Sequence, residues 1–377
     1  WNKMRMNPTD LADLSASTMT FLMNGSTPMA NWRGLFKNGE KLRLRFINGS
    51  SNSFFDVRIP ELKLTVVQAD GQNIEPVTVD EFRFGPGETY DVIVEPKNDA
   101  YTIFAQSMDR SGYAKGTLSV APSLDAPVPA LDPVEWLTMT DMMGNMASGG
   151  EHGSMPGMAG MSDMSGNTMD KGTMKQGGMA MDHSAMSMDH SMHNMGGNPL
   201  AVPSNKVRHA KTEYGASVDM RVDMPRTNLD DPGIGLRNNG RRVLTLADLR
   251  SLDGIADHQE PEAEIELHLT GNMERYSWSF DGLEFGKSTP VHMKHNQRLR
   301  VILQNDTMMT HPMHLHGMWS DLENDQGEVM VRRHTIPVQP AQRISFLTTP
   351  HDVGRWAWHC HLLFHMDAGM FREVVVS

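Results

Sequence analysis

Short stretches in which every second residue is apolar dominate the first 125 positions. Lys41-Leu-Arg-Leu-Arg-Phe-Ile47 alternates polar and apolar side chains, the pattern of a strand with one buried face. Leu64-Thr-Val-Val-Gln68, Tyr90-Asp-Val-Ile-Val94 and Tyr101-Thr-Ile-Phe104 are further β-rich runs, separated by turn clusters such as Asn48-Gly-Ser-Ser-Asn52 and Gly85-Pro-Gly87. No helix-period stretch competes with them. The pattern lapses between 126 and 205 and returns near Thr212. Ala263-Glu-Ile-Glu-Leu-His-Leu269, Leu299-Arg-Val-Ile-Leu303, Ser345-Phe-Leu-Thr348 and Glu373-Val-Val-Val376 again read as strands. One short helix is predicted over Leu244–Leu252, with Thr245 as its N-cap. The expectation is an all-β chain: one β-domain over 1–125, a linker over 126–205 and a second β-domain over 206–377, each domain a sandwich.

Composition sharpens the middle segment. It opens on Ala126-Pro-Val-Pro-Ala130, and 15 of the 33 methionines then fall between Met142 and Met195 among Gly, Ser, Asp and His. Such a stretch has too few branched or aromatic side chains to build a core and is expected to be loosely ordered. The near repeats Met181-Asp-His183-Ser-Ala-Met186 and Met188-Asp-His190-Ser-Met192 make it a candidate copper store as well as a spacer. Over the whole chain, 34 basic against 46 acidic residues give a net charge of −12, which argues against a nucleic-acid partner. No apolar run is long enough for a membrane-spanning helix. Cys360 is the single cysteine, so no internal disulfide exists. One thiol, 33 thioethers and 17 imidazoles form a donor set suited to copper.

The chemistry concentrates near the C-terminus in two clusters, His311-Pro-Met-His314-Leu-His316-Gly317 and His359-Cys360-His361-Leu-Leu-Phe-His365-Met-Asp-Ala-Gly-Met370. Side chains alternate across a strand, so His359 and His361 point one way and Cys360 the other. Cys360, His365 and a further histidine, with Met370 as a weak axial donor, fit a blue-copper site; His311 is the natural second imidazole. His314 and His316 then share a face and can meet His359 and His361. A lone buried Cys or His is usually inert packing, but a single cysteine flanked by histidines and followed at this interval by His and Met is a different matter. Five further methionines, Met308, Met309, Met313, Met318 and Met366, flank these ligands. Soft thioethers favour Cu(I), which makes them candidate contacts for a cuprous substrate; filling irregular core space is the competing reading.

At these motifs the chain resembles the multicopper oxidases, and within them the bacterial copper-resistance protein A branch. Thr310-His-Pro-Met-His-Leu-His-Gly-Met-Trp-Ser320, Phe55-Asp-Val-Arg-Ile-Pro60 and Asp219-Met-Arg-Val-Asp-Met-Pro-Arg-Thr-Asn-Leu-Asp-Asp-Pro-Gly233 carry the likeness. The resemblance implies two cupredoxin-like Greek-key sandwiches, the first without copper ligands. It implies a type 1 copper on His311, Cys360, His365 and Met370. His314 would serve a type 2 copper, and His316, His359 and His361 a type 3 pair. Electrons from Cu(I) or a small phenolic reductant would pass through Cys360 and its neighbours His359 and His361 to dioxygen. The family uses four His-x-His pairs for its trinuclear cluster, whereas this chain has two. The expectation is therefore domains two and three of an exported, periplasmic oxidase, the cluster being completed by an N-terminal domain. The alternative is a copper-sequestering protein without oxidase activity.

Overall fold

Alternation becomes sandwich in both halves of the chain. The structure, a computed structural model, describes residues 11–145 and 200–377. The N-terminal sandwich consists of β1 (Trp32–Leu35), β2 (Leu42–Ile47), β3 (Phe55–Arg58), β4 (Leu64–Ala69), β5 (Gln72–Val79), β6 (Glu81–Phe84), β7 (Thr89–Val94), β8 (Ala100–Ser107) and β9 (Tyr113–Ser119). One sheet runs β1-β9-β8-β3-β6 and the other β2-β7-β4-β5. In β7, Tyr90, Val92 and Val94 are buried while Thr89, Asp91 and Ile93 are half-exposed, as the period of two requires.

The C-terminal sandwich consists of β10 (Ala263–Asn272), β11 (Ser277–Phe280), β12 (Val291–Met293), β13 (Leu299–Asn305), β14 (His311–Leu315), β15 (Ser320–Glu323), β16 (Val329–Arg333), β17 (Thr335–Val338), β18 (Arg343–Thr348), β19 (Gly354–Cys360) and β20 (Phe371–Val376). Its sheets run β11-β10-β13-β18-β15-β16 and β12-β20-β19-β14-β17. Strand β13 is buried along its whole length, and its polar positions are matched by partners: Arg300 is held by Glu323 through two contacts of 2.8 Å. In both sandwiches the chain crosses repeatedly between sheets, so neighbouring strands are mostly distant in sequence. Parallel pairs β1·β9, β10·β13 and β12·β20 accompany the antiparallel majority. The all-β, cupredoxin-like expectation is met.

Two local expectations differ from the structure. The helix placed over Leu244–Leu252 is a single 3₁₀ turn, Leu246–Asp248. Thr245 does start it, donating its backbone N–H and hydroxyl to Asp248 Oδ2, both at 2.9 Å. The turn then stops because Leu249 is fully buried and Ser251 bridges to Ile74 of β5. Residues 126–145, assigned by composition to the linker, pack against β-structure. The Thr102 hydroxyl donates to the Ala126 carbonyl at 3.1 Å, Arg58 to that of Ala130 at 3.2 Å, and Gln106 to Asp132 at 2.6 Å. A short helix α1 (Met139–Met143) follows, and Arg237 fixes it through Asp141 at 2.6 Å. Side-chain donors replace the strand partners that a proline-rich backbone cannot recruit.

The two sandwiches are joined by buried charge. The Arg333 side chain, fully buried at the end of β16, reaches Asp70 at 2.7 Å, Glu88 at 2.8 Å and the Tyr90 hydroxyl at 3.0 Å. Burial pushes the Glu88 carboxyl up to about 7 against the pull of Arg333. Asp70 lies below the usual carboxylate range because Arg333 and His334 outweigh the cost of its burial. Among the described residues no helix is long and apolar enough to cross a membrane.

Candidate metal centre

The pairing of β14 with β19 builds the centre. Its register sets Met313 opposite Cys360 and His314 opposite His359. Alternation therefore sorts the donors onto two faces, with His311 and Cys360 towards the sandwich interior and His314, His316, His359 and His361 on the other side. A short helix α2 (Leu363–Asp367) follows β19 and returns His365 to the Cys360 side. It is anchored by the N-terminal sandwich, because Leu363 N–H donates to the Ser51 carbonyl at 2.9 Å and Phe364 N–H to Asn52 Oδ1 at 3.0 Å.

On the interior face, His311, Cys360 and His365 are all buried. Cys360 Sγ lies 3.5 Å from His311 Nδ1 and 3.9 Å from His365 Nδ1, and the two Nδ1 atoms are 3.1 Å apart. Donors surrounding one ion at roughly 2.0–2.3 Å must stand about 3.5 Å apart, so this spacing suits a shared metal. The proton positions agree. The Thr307 hydroxyl donates to Asn305 Oδ1 at 2.8 Å and so accepts from His311 Nε2 at 2.7 Å. That leaves the His311 Nδ1 lone pair free for the centre. His365 Nε2 faces Asp13 Oδ2 at 3.1 Å as a charge contact without hydrogen-bond geometry, while its Nδ1 points to Cys360 and His311. Burial, and then the neighbouring His365, push the His311 imidazole well below its ordinary value; burial pushes the Cys360 thiol well above its own. Without a cation the thiol keeps its proton, and a metal is what would remove it. Met370 is fully buried, and its backbone accepts from Cys360 N–H at 3.1 Å and donates to the His365 carbonyl at 2.9 Å.

On the other face, His314 and His316 rings are 4.6 Å apart, His314 and His361 5.9 Å, and His316 and His359 5.2 Å. His359 Nδ1 donates to the Cys360 carbonyl at 2.9 Å, which leaves its Nε2 bare. That Nε2 sits only 3.0 Å from His316 Nε2. His314 Nδ1 donates to the His334 carbonyl at 2.6 Å, and its own Nε2 is free in turn. Burial pushes His314 down to about 4, so it is neutral and ligand-ready at physiological pH. His361 Nδ1 is buried without a hydrogen-bond partner. Bare nitrogens converging at this distance are what a metal cluster needs.

Several contributors carry no sequence signal. Trp278 is fully buried and stacks on His365 with ring centroids 3.8 Å apart, fixing the imidazole plane. Asp13 reaches His365 from near the N-terminus and is itself held by the Tyr276 hydroxyl at 3.0 Å and by Asn52. Gly87, at φ +83°, lies against His361: a Cβ there would stand 2.6 Å from the His361 ring, so only glycine lets the β6–β7 turn approach this closely. Of the flanking methionines, Met309, Met313 and Met318 are buried in the core, while Met308 and Met366 are half-buried. Met181, His183, Met186, Met188, His190 and Met192 lie outside the described residues.

Comparison with known proteins agrees with this geometry. Family models described as multicopper oxidase match residues 3–122 and 258–377. Copper resistance protein A of Escherichia coli is 55% identical over 382 residues, an alignment covering all of this chain and 62% of that protein. Copper resistance protein A of Pseudomonas syringae pv. tomato is 53% identical over 385 residues, covering all of this chain and 63% of that protein. The chain thus spans somewhat less than two thirds of the length of these relatives. Among solved structures, Fet3p, a multicopper oxidase that functions in iron import, superposes with a TM-score of 0.55 at 14% identity over 92% of this chain and 57% of its own. A laccase from Botrytis aclada gives 0.51 at 17% identity over 92% and 53%. These two likenesses speak to the fold alone.

Proposed function

Since the chain belongs to the multicopper oxidases, in the copper-resistance protein A branch, we propose that it is the part of a copper-resistance oxidase that takes electrons from a reductant and carries half of the oxygen-reducing site. In this reading His311, Cys360, His365 and Met370 hold a type 1 copper, His314 serves a type 2 copper, and His316, His359 and His361 serve a type 3 pair. The observation that carries it is the back-to-back placement of two donor groups where β14 pairs with β19, three donors including Cys360 on one face and four imidazoles on the other. When bound, copper supplies one-electron redox chemistry at the first group and the reduction of dioxygen to water at the completed second.

The chain's own residues set the terms. Cys360 adjoins both His359 and His361, so one peptide unit links each face to the other. Burial of the first group excludes water and leaves an outer-sphere electron donor to approach through the protein surface nearby. The proposed reductant is Cu(I) or a small phenol, and half-buried Met308 and Met366 are the thioethers best placed to meet a soft ion. The proposed setting is the periplasm. The four imidazoles on the second face are half of the family's complement, and the others are proposed to come from an N-terminal domain.

The test is copper loading of the full chain, followed by metal analysis, visible and spin-resonance spectra and oxygen uptake with Cu(I) or a phenol. The expected result is an intense blue band that Cys360→Ser abolishes, without sustained oxygen uptake by the chain alone. Four coppers with full turnover would overturn the half-site, and a colourless copper-loaded protein would overturn the type 1 assignment.

A further inference from the structure

A second group of metal-competent side chains lies away from the copper donors, where the chain re-enters the described structure after residue 200. His209 and Glu213 come from this returning segment, Glu213 within a 3₁₀ turn, Lys211–Tyr214. His268 projects from β10 and Asp306 follows β13. One ligand atom from each of the four lies within 4.8 Å of all the others. Individual separations are 2.7 Å for His209–Glu213, 3.6 Å for His209–Asp306, 3.2 Å for His268–Glu213 and 2.7 Å for His268–Asp306. Glu213, His268 and Asp306 are buried, and the His209 side chain is only 6% exposed.

We propose that His209, Glu213, His268 and Asp306 form a second metal site, for a divalent transition ion of the zinc class, that clasps the returning segment to the C-terminal sandwich. Three of the four ligands are oriented by an outer hydrogen-bond partner, the arrangement that tunes metal sites. Asp306 Oδ1 accepts from Val222 N–H at 3.0 Å and Gln304 Nε2 at 2.9 Å, which turns Oδ2 to the centre. Glu213 Oε1 accepts from Ala210 N–H at 2.8 Å, which turns Oε2 the same way. His268 Nε2 lies 3.1 Å from Glu266 Oε1, a carboxylate–histidine pair that presents Nδ1 to an ion. His209 Nε2 is buried without a hydrogen-bond partner, 3.3 Å from Asp223 Oδ1.

Charge and donor type select the ion. Two neutral imidazoles and two carboxylates carry −2, matched by one divalent cation, while Glu266 is balanced by Arg343 at 2.6 Å. Two nitrogens and two oxygens suit a four-coordinate zinc-class ion. The absence of sulfur from this group disfavours Cu(I). Protons can fill the same gaps in the metal-free form, and an entering ion displaces them.

Cobalt(II) and zinc(II) test this on the full chain carrying His314→Ala, His316→Ala and His359→Ala, a background shared by every variant below, which takes the four-imidazole face out of play. Cobalt(II) is expected to give a tetrahedral visible spectrum with two components, a thiolate charge-transfer band from Cys360 and ligand-field bands without sulfur character. His209→Ala and Glu213→Gln should each remove the second component, lower bound metal by one ion per chain and leave the thiolate band, which also reports an intact fold. Cys360→Ser should do the reverse. Glu266→Gln, which removes no ligand, should weaken zinc by about 10–100-fold. Excess zinc should raise the thermal midpoint of Cys360→Ser but not of His209→Ala with Cys360→Ser. The proposal is overturned if metal count and the sulfur-free bands are unchanged in both ligand variants, or if zinc leaves the midpoint of Cys360→Ser unmoved.

Discussion

Asp13 illustrates what the residue scale adds. The order His-Cys-His is readable from the sequence because strand geometry alone sends Cys360 and its neighbours to opposite faces. The partners that aim these side chains were not readable, since they arrive from elsewhere in the fold: Thr307 by a tight loop, Trp278 from β11, and Asp13 from near the far end of the chain. Contacts of this kind, made across the fold, leave no spacing signature. The Asp13 carboxylate, 3.1 Å from His365 Nε2, makes the imidazole a better donor to a bound cation and favours the more highly charged metal. Asp13→Asn is therefore expected to keep the blue band, raise the reduction potential of that copper and weaken its binding by about 10–100-fold. Potentiometric titration alongside copper competition checks this, and an unchanged potential with unchanged affinity would refute it.

At the element scale, strands and the Thr245 cap were legible, and the length of the helix it starts was not. The eight runs named from alternation coincide with observed strands, Lys41 alone falling one residue outside β2, because a period of two is imposed by the pleat wherever one face is buried. The helix at Leu244–Leu252 fails because tertiary burial of Leu249 outweighs local propensity. The segment 126–145 fails as a spacer because its anchors, Arg58, Thr102, Gln106 and Arg237, come from other parts of the sequence. One of those anchors gives a pH signature. Burial alone would raise Asp231, but Arg237, the Gly233 amide and Arg226 outweigh it and hold the carboxyl at about 2, against 3.8 ordinarily. A carboxyl depressed in the folded state stabilises above its unfolded value, and that stabilisation is lost as pH falls through the folded one. At about 1.4 kcal/mol per unit, the network contributes roughly 2 kcal/mol near neutrality. The stability advantage of the native chain over Asp231→Asn should thus persist from pH 7 to about 4 and vanish by about 2. Thermal unfolding across that range checks it; a constant difference would place the stabilisation elsewhere.

For the whole molecule, composition pointed to copper and the two sandwiches were visible, but their mutual dependence was not. Arg333 belongs to the C-terminal sandwich, while Asp70, Glu88 and Tyr90, which surround its guanidinium, belong to the N-terminal one. Removing one partner of a buried pair costs about 3–5 kcal/mol, so Asp70→Asn should lower the unfolding midpoint well beyond an exposed control such as Asp99→Asn. Equal shifts for the two would show that the pair contributes little. The same contact sits one residue from His334, whose carbonyl holds His314, and Gly87 of the N-terminal sandwich closes over His361. Among the described residues the N-terminal sandwich holds no cluster of three or more His, Cys, Asp or Glu donors, yet it walls one side of the chamber of imidazoles behind Cys360. Anyone recombining homologous halves in search of new oxidases should treat Asp70, Gly87, Glu88, Tyr90 and Arg333 as one inherited unit. A chimera that splits them would strand a buried cation and open one side of the chamber to water.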